Sequence, residues 1–413
     1  MKRRLWVVTE LYYPEVTSTG YYLTKIAEGL ADDFDVKVLC GQPNYNAKGT
    51  KAAVHQIHNG VEIFRLFGTT LDKNVILFRL INMVTFGISV LLKSLLRFRK
   101  DDMVLVVTTP PILPFLAAVS SLVKRASYFL LVHDSYPEVL IAVGKAREDS
   151  LLVKLLNRFN RWLYRNASKI VVVGRDMLEL MEAKTKGLDV PLRFIPNWAE
   201  LEQVEPHPRD ENELLSDLGI KHKFVFLYAG NMGYPNDLES IVDCAKKLSN
   251  DERFHFIFLG SGAKRKWIEE QAEGLKNVTL LSPRPRSQQK IFLNACDVGI
   301  VSLVKGMRGV SVPSRTYNLL AAGKPILAVV EEGTEVDMIL KEDGVGWTVE
   351  PGNPQKLLEM ILRIYESKDV LYEMGHRARK AALDKYSPEK IIKEYINLFN
   401  EVELNVSSYK RKN

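Results

Sequence analysis

Short apolar runs, each followed by a turn and a helix-forming segment, recur along nearly the whole chain and constrain the fold more than any other feature. In the first half RLWVVT (4–9), DVKVLC (35–40), VEIFRLF (61–67), residues 103–108, SYFLLVHD (127–134), KIVVVG (169–174) and RFIPN (193–197) read as strands. Helices are predicted over 20–31, 75–100, 112–124 and 151–165, and from Arg175 onward. The alternation restarts with FVFLYAG (224–230), FHFIFLG (254–260), VTLLSP (278–283), VGIVSL (298–303) and PILAVV (325–330). Its helices are expected over 237–249, 263–273, 287–295, 313–322 and 335–341. Unbroken apolar runs bounded by turns are the pattern of parallel strands covered on both faces. The fold class is therefore α/β, with two doubly wound parallel-sheet domains in tandem. The 413 residues are long for one core and fit two. The domains are assigned to 1–200 and 201–386, joined across an acidic, proline-bearing linker at 199–220, and YSPEK opens a last helix over 387–404.

The net charge of +7 is unevenly placed: residues 1–200 hold 27 Lys and Arg against 19 Asp and Glu, and the remainder 30 against 31. The first half is thus expected to meet something anionic. Nucleic acid is disfavoured, because the charge is dispersed and no recognised module is present. Cys40, Cys244 and Cys296 are scattered, which suggests neither a disulfide framework nor a zinc cluster and fits a reducing cytoplasm. MKRR followed by LWVVT is too short for a secretory leader, so none is expected. Residues 103–123 carry no charge, but Pro110, Pro111 and Pro114 divide them into strand, turn and helix. Within 75–100, Arg79, Asn82, Thr85, Ser89, Lys93, Arg97 and Lys100 recur every three or four residues between apolar ones. That spacing gives a helix with a broad apolar face and a basic stripe, suited to a membrane interface or to a core.

The chemistry is expected where loops leave the strands, in the cleft between the domains. Four of those loops carry glycine: TELYYPEVTSTGYY, AGNMGYPNDLE, GSGAKRK and VKGMRGVSVPSR; HDSYPE is the fifth. In GMRGVSVPSRTYNLLAAGKP a cationic glycine-flanked loop meets a helix start, with Pro313 expected in its first turn and Gly323 just past its end. A helix start of this kind suits an anion, most often phosphate. Asp33-Phe34-Asp35 has the letters of a metal-binding Asp-x-Asp, but precedes a strand and reads as a solvated turn. The first helix lacks Gly-x-Gly-x-x-Gly, and GSGAK lacks the Gly-Lys-Ser/Thr end of a P-loop. No divalent metal is expected, because the sequence offers no ligand cluster.

Across nearly its whole length the chain resembles the retaining glycosyltransferases of family 4, closest to the bacterial surface-polysaccharide subgroup typified by WbuB and WcaI. The matching pieces are YYPE…TG, VTTPP, VHDSYPEVLIAVG, VVVGRDM, FIPNWAE, LYAGNMG…DLESI, FLGSGAK and GVSVPSRTYNLLAAGKPILAV. The resemblance implies the GT-B fold, two facing Rossmann-like domains with the last helix packing back on the first. It implies transfer of a hexosyl or N-acetylhexosaminyl group from a nucleotide-diphosphate donor, of UDP or GDP type with UDP favoured, to a polyprenyl-diphosphate-linked saccharide in O-antigen or capsule synthesis. The enzyme would act as a peripheral protein on the cytoplasmic face of the membrane.

The same likeness implies roles residue by residue. His133 would hydrogen-bond the donor sugar, and Thr19 and Gly20 complete the first-domain side. Gly230, Asn231 and Gly233 would line the diphosphate. Ser311 and Val312 N–H groups, with Ser314 and Arg315, would hold the same phosphates, and Arg308 and Lys305 are nearby cations. The family's paired glutamates fall on Val310 and Asn318, its Arg on Asn231 and its Lys near Asn236. Asn318 or Glu335 would have to stand in at the ribose. A non-catalytic nucleotide-binding interaction protein of the same fold is the alternative.

Overall fold

The computed structural model describes residues 2–15, 17–43, 52–71 and 76–410. Residue 75, where the basic-striped helix was expected to open, and Val16 in the first glycine-bearing loop lie outside the described residues. The first domain runs β1 (Arg4–Val8), α1 (Ser18–Leu30), β2 (Asp35–Cys40), β3 (His55–His58), β4 (Val61–Arg65), α2 (Ile76–Arg97) and β5 (Met103–Val107). It continues through α3 (Leu113–Lys124), β6 (Ser127–Val132), α4 (Glu138–Ala142), α5 (Leu151–Asn166), β7 (Lys169–Val172), α6 (Arg175–Thr185) and β8 (Leu192–Phe194). Its sheet has the order β3-β4-β2-β1-β5-β6-β7-β8, parallel except for the β3–β4 hairpin.

The second domain runs α7 (Glu213–Asp217), β9 (Phe224–Ala229), α8 (Glu239–Lys247), β10 (Phe254–Leu259), α9 (Arg265–Gln271), β11 (Val278–Leu281), α10 (Gln289–Leu293) and β12 (Val298–Ser302). Then follow α11 (Arg315–Ala321), β13 (Ile326–Val329), α12 (Glu335–Asp343), β14 (Gly346–Val349), α13 (Pro354–Glu366), α14 (Leu371–Lys385) and α15 (Pro388–Lys410). The order β11-β10-β9-β12-β13-β14 is wholly parallel. Strand β9 shows why its residues are apolar without a break: Val225 and Leu227 join one buried cluster, and Phe224, Phe226 and Tyr228 join another on the opposite face. Both faces are covered, as a doubly wound sheet requires.

Helix α15 leaves the second domain and lies along α1. The Phe399 ring sits 5.8 Å from that of Phe34 and 4.9 Å from that of Phe129, and Glu401 pairs with Lys169 and Arg193. Helices α2, α3 and α5 lie side by side against the other face of the first sheet. On α2, Phe86 and Val90 are buried, whereas Leu77, Leu80, Val84, Ile88, Leu92 and Leu96 are exposed. By length and composition alone, Leu77–Arg97 is the one helix among the described residues that could cross a membrane.

The sequence reading differs from the structure in places with clear causes. The segment 199–220 contains α7, capped by Asn212, so it is not wholly linker. Helix α11 begins at Arg315, and Pro313 precedes it instead of occupying its first turn; Gly323 does lie just past its end.

Candidate active site

Both sheets reverse their strand order once, and the loops leaving the strands there face each other. In the first sheet β1 lies between β2 and β5; in the second β9 lies between β10 and β12. Open parallel sheets bind ligands beyond the carboxyl ends of strands at such a reversal. After β1 the chain reaches Thr17, whose Oγ1 accepts from the Gly20 N–H at 3.4 Å and caps α1. Thr19 and Gly20 therefore sit in the first turn of α1, at the partly positive end of the helix. Beside them, Ser18 Oγ lies 2.8 Å from Ser314 Oγ of the second domain.

His133 follows β6. Its N–H and that of Asp134 both donate to Thr108 Oγ1, at 3.2 and 3.3 Å. Asp134 forms an isolated antiparallel bridge with Ser311, and the Ser135 N–H donates to Val310 O at 2.9 Å. A short ladder thus joins the two domains beside the histidine. Burial drives the His133 imidazole down to about 4, so it is neutral at pH 7. The same burial raises the Asp134 carboxyl, opposed by a hydrogen bond from the Thr109 hydroxyl.

The loop after β12 is organised by carboxylates. The N–H groups of Gly306, Met307 and Arg308 all donate to Glu331 Oε2, at 2.7, 3.1 and 3.4 Å. The Gly309 N–H donates to Asp176 Oδ2 of α6 at 2.9 Å. Consecutive N–H groups make a concavity for an anion, and here protein oxygens already fill it. Further on, the segment from Ser311 leads into α11 at Arg315.

Arg315 opens α11. Its guanidinium lies 4.4 Å above the Tyr228 ring, and Nη2 donates to Asn236 Oδ1 at 3.3 Å. Nη1 is buried and has no hydrogen-bond partner among the described residues. The Arg315 Cζ stands 3.0 Å from where a Cβ on Gly230 would be, so glycine there admits the cation to the loop after β9. In that loop Asn236 Nδ2 donates to Asn231 O and Gly233 O, at 3.0 and 3.3 Å. The loop after β10 packs flat on it. A Cβ on Gly260 would stand 2.0 Å from Gly230 O, at φ 145°. The glycines of GSG therefore serve contact between loops first.

The structure brings His133, Thr19, Gly20, Gly230, Asn231, Gly233, Ser311, Ser314 and Arg315 into the loops around one cleft. Val312 lies on its seam, with Cγ2 2.6 Å from where a Cβ on Gly174 would be. Three expected members have protein partners from the other domain. Arg308 pairs with Glu179 across the domains at 2.9 Å. Glu335 has a 1 % exposed side chain and accepts from Arg175 N–H, Nε and Nη2 at 2.7, 3.1 and 3.2 Å. Asn318 Oδ1 accepts from the Glu200 N–H at 3.3 Å. The reason is common to Glu335 and Asn318: a buried polar group needs a partner, and the other domain supplies the closest one.

Other residues of the site were not singled out from the sequence. Asp176 lies within the quoted VVVGRDM, and Glu331 ends the run after β13; neither shows locally which N–H groups it meets. Tyr21 OH donates to Glu200 of the quoted FIPNWAE, and Arg286 lies 3.8 Å over the Tyr21 ring.

Comparison with known proteins places this architecture. A family model described as glycosyl transferase 4-like domain matches residues 18–198, and one for glycosyl transferases group 1 matches 210–382. A probable glycosyltransferase of Pseudomonas aeruginosa, WbjE, is 34% identical over 402 residues, 96% of each chain. The putative colanic acid biosynthesis glycosyl transferase WcaI of Escherichia coli is 25% identical over 405 residues, 94% of this chain and 97% of that one. Among solved structures, Anabaena HepE in complex with UDP-glucose superimposes with a TM-score of 0.69 at 17% identity, covering 96% of this chain and 99% of that one. Two parallel-sheet domains facing across such a cleft are those of a glycosyltransferase with the GT-B fold. The chain belongs to glycosyltransferase family 4, among the enzymes of bacterial polysaccharide biosynthesis.

Proposed function

We propose that the protein is a retaining, metal-independent glycosyltransferase that moves a hexosyl or N-acetylhexosaminyl group from a UDP-sugar to a polyprenyl-diphosphate-linked saccharide, in O-antigen or capsule assembly. The observation that carries this reading is Arg315. A buried guanidinium nitrogen without a hydrogen-bond partner among the described residues stands beside Gly230, next to the start of α1 and across from the His133 loop. A donor diphosphate would supply the missing acceptor. Charge growing on the leaving nucleotide would then be met by Arg315 and by N–H groups of Ser311 and Val312, which is electrostatic catalysis. Neutral His133 would hydrogen-bond the sugar without placing a cation beside the reacting carbon. The donor base follows HepE, whose complex contains UDP-glucose.

The surface suits a lipid acceptor. Exposed Leu77, Leu80, Val84, Ile88, Leu92 and Leu96 of α2 adjoin exposed Val123 on α3 and Leu151, Leu152 and Phe159 on α5. With the positive surplus of residues 1–200, this face would hold the enzyme on the cytoplasmic membrane leaflet.

A thermal-shift screen over nucleotide sugars, followed by turnover with a lipid-linked acceptor in EDTA, tests the proposal. Stabilisation by UDP-sugars and a product that keeps the donor's anomeric configuration are expected. A second reading, a nucleotide-binding protein without turnover, draws on the absent carboxylates: Val310 is buried apolar and Asn318 holds the Glu200 backbone. Binding of UDP-sugar with no transfer would favour it.

A further inference from the structure

The apolar face of α2 borders a pocket that sugar transfer does not use. The pocket holds about 380 Å³ and lies between β4 and the second half of α2. Phe64 forms its floor, with His55 stacked on that ring at 4.8 Å. Lys93 and Arg97, one helical turn apart, both reach over the same ring, at 5.6 and 5.1 Å from its centroid. Among the described residues neither cation has a carboxylate within ion-pair distance. The acidic wall residue, Glu62, is already held by Lys37 at 2.5 Å and His55 at 2.9 Å. Arg65 is likewise engaged, by Ala53 O and Tyr13 O.

Two cations without a carboxylate partner among the described residues, over an aromatic floor and with neighbouring negative charge neutralised, favour an anion with several oxygens. Arginine adds the planar fork that matches phosphate. Leu92 and Leu96, 58 % and 80 % exposed, flank the cations on the same helix. The ligand that satisfies both features has a phosphate head and an apolar tail. The pocket runs along the sheet: at one end its wall residue Arg65 reaches Tyr13 O of the loop after β1, and the two cations lie toward the other end. Arg97 O accepts from Arg4 at the start of β1, the end of the sheet remote from the cleft loops.

We propose that this pocket seats the phosphate headgroup of an anionic bilayer lipid, with the acyl chains lying along Leu92 and Leu96. The proposal rests on the membrane reading given above and adds a discrete site to it. Two probes test it on the full chain. One is dihexanoyl phosphatidic acid below its aggregation concentration, followed by calorimetry. The other is flotation with phosphatidylcholine vesicles, with and without phosphatidic acid. Lys93→Gln/Arg97→Gln is compared with Lys154→Gln/Arg158→Gln, which removes two exposed charges of α5 on the same face.

The pocket pair should lose binding of the soluble probe and weaken vesicle binding roughly tenfold or more, each cation near an anionic leaflet being worth several-fold. The α5 pair should keep the soluble probe, and both variants should keep nucleotide-sugar affinity. Equal losses for the two pairs would mean a diffuse attraction and overturn the pocket while leaving the membrane reading intact. Soluble-probe binding without vesicle binding would instead overturn the membrane reading, and with it a bilayer lipid as the occupant.

Discussion

At the residue scale, burial decides which side chains remain free to act. His133 is neutral because it is desolvated, so its role would be a hydrogen bond that forms as the sugar reaches the transition state. His133→Ala should therefore lower kcat at least about tenfold while changing the Kd for free UDP little, a split that isothermal titration beside steady-state kinetics reads directly. Its titration also leaves a mark on stability. The folded value of about 4 lies below the ordinary 6.5, and His255 is depressed to about 4 as well, first by burial and then by Lys223. The unfolded chain then binds more protons between those values, so this stability is complete above pH 6.5 and lost as pH falls toward 4. Unfolding near pH 5 should take up about one proton fewer in His133→Asn than in the wild type, measured from the slope of unfolding free energy against pH. For Arg315, replacement by Met should raise the Kd for UDP about tenfold to a hundredfold, the range for a hydrogen bond to a charged group.

At the element scale, the seam between the domains is built by α6, α12 and the loop after β12. Glu335 is nearly inaccessible and bound to Arg175, which also pairs with the exposed Glu342, so Glu335→Ala removes only the buried partner and should cost about 1–3 kcal/mol. The double variant Arg175→Met/Glu335→Leu should regain much of that, a pattern that denaturant melts of both would reveal. Nothing in the sequence announces this pair, 160 positions apart. The alternation of strand and helix is legible because each strand is apolar on both faces, and the loops of the site follow from it. Strand β3 is not: His55-Gln56-Ile57-His58 is an exposed edge with no apolar run. Helix α13 had its signals, an Asn353 cap, Pro354 in the first turn and buried Leu357, Ile361 and Ile364. The partners that Asn318 and Glu335 hold in the fold were not legible for another reason. Their residue types suit hydroxyl groups, but their partners come from the other domain and only the folded chain brings them near.

At the scale of the whole molecule, the two domains are not separable where the linker suggests. Helix α15 covers the first domain, and Phe399, fully buried between Phe34 and Phe129, is part of that core. Phe399→Ala should destabilise the first domain by about 3–5 kcal/mol, seen as earlier loss of protection for β1 and β6 amides in hydrogen exchange. Turnover should survive EDTA, since the proposed site meets phosphate charge with Arg315 and N–H groups; complete loss restored by manganese would reject that. The crossing helix also reverses the order in which the protein is finished during synthesis. The ribosome releases the first domain's sheet about 200 residues before Phe399, a delay on the order of ten to forty seconds at ordinary elongation rates. Through that interval the groove beside Phe34 and Phe129 faces solvent, inviting chaperones or a neighbouring nascent chain. The domain translated first is therefore the last to close.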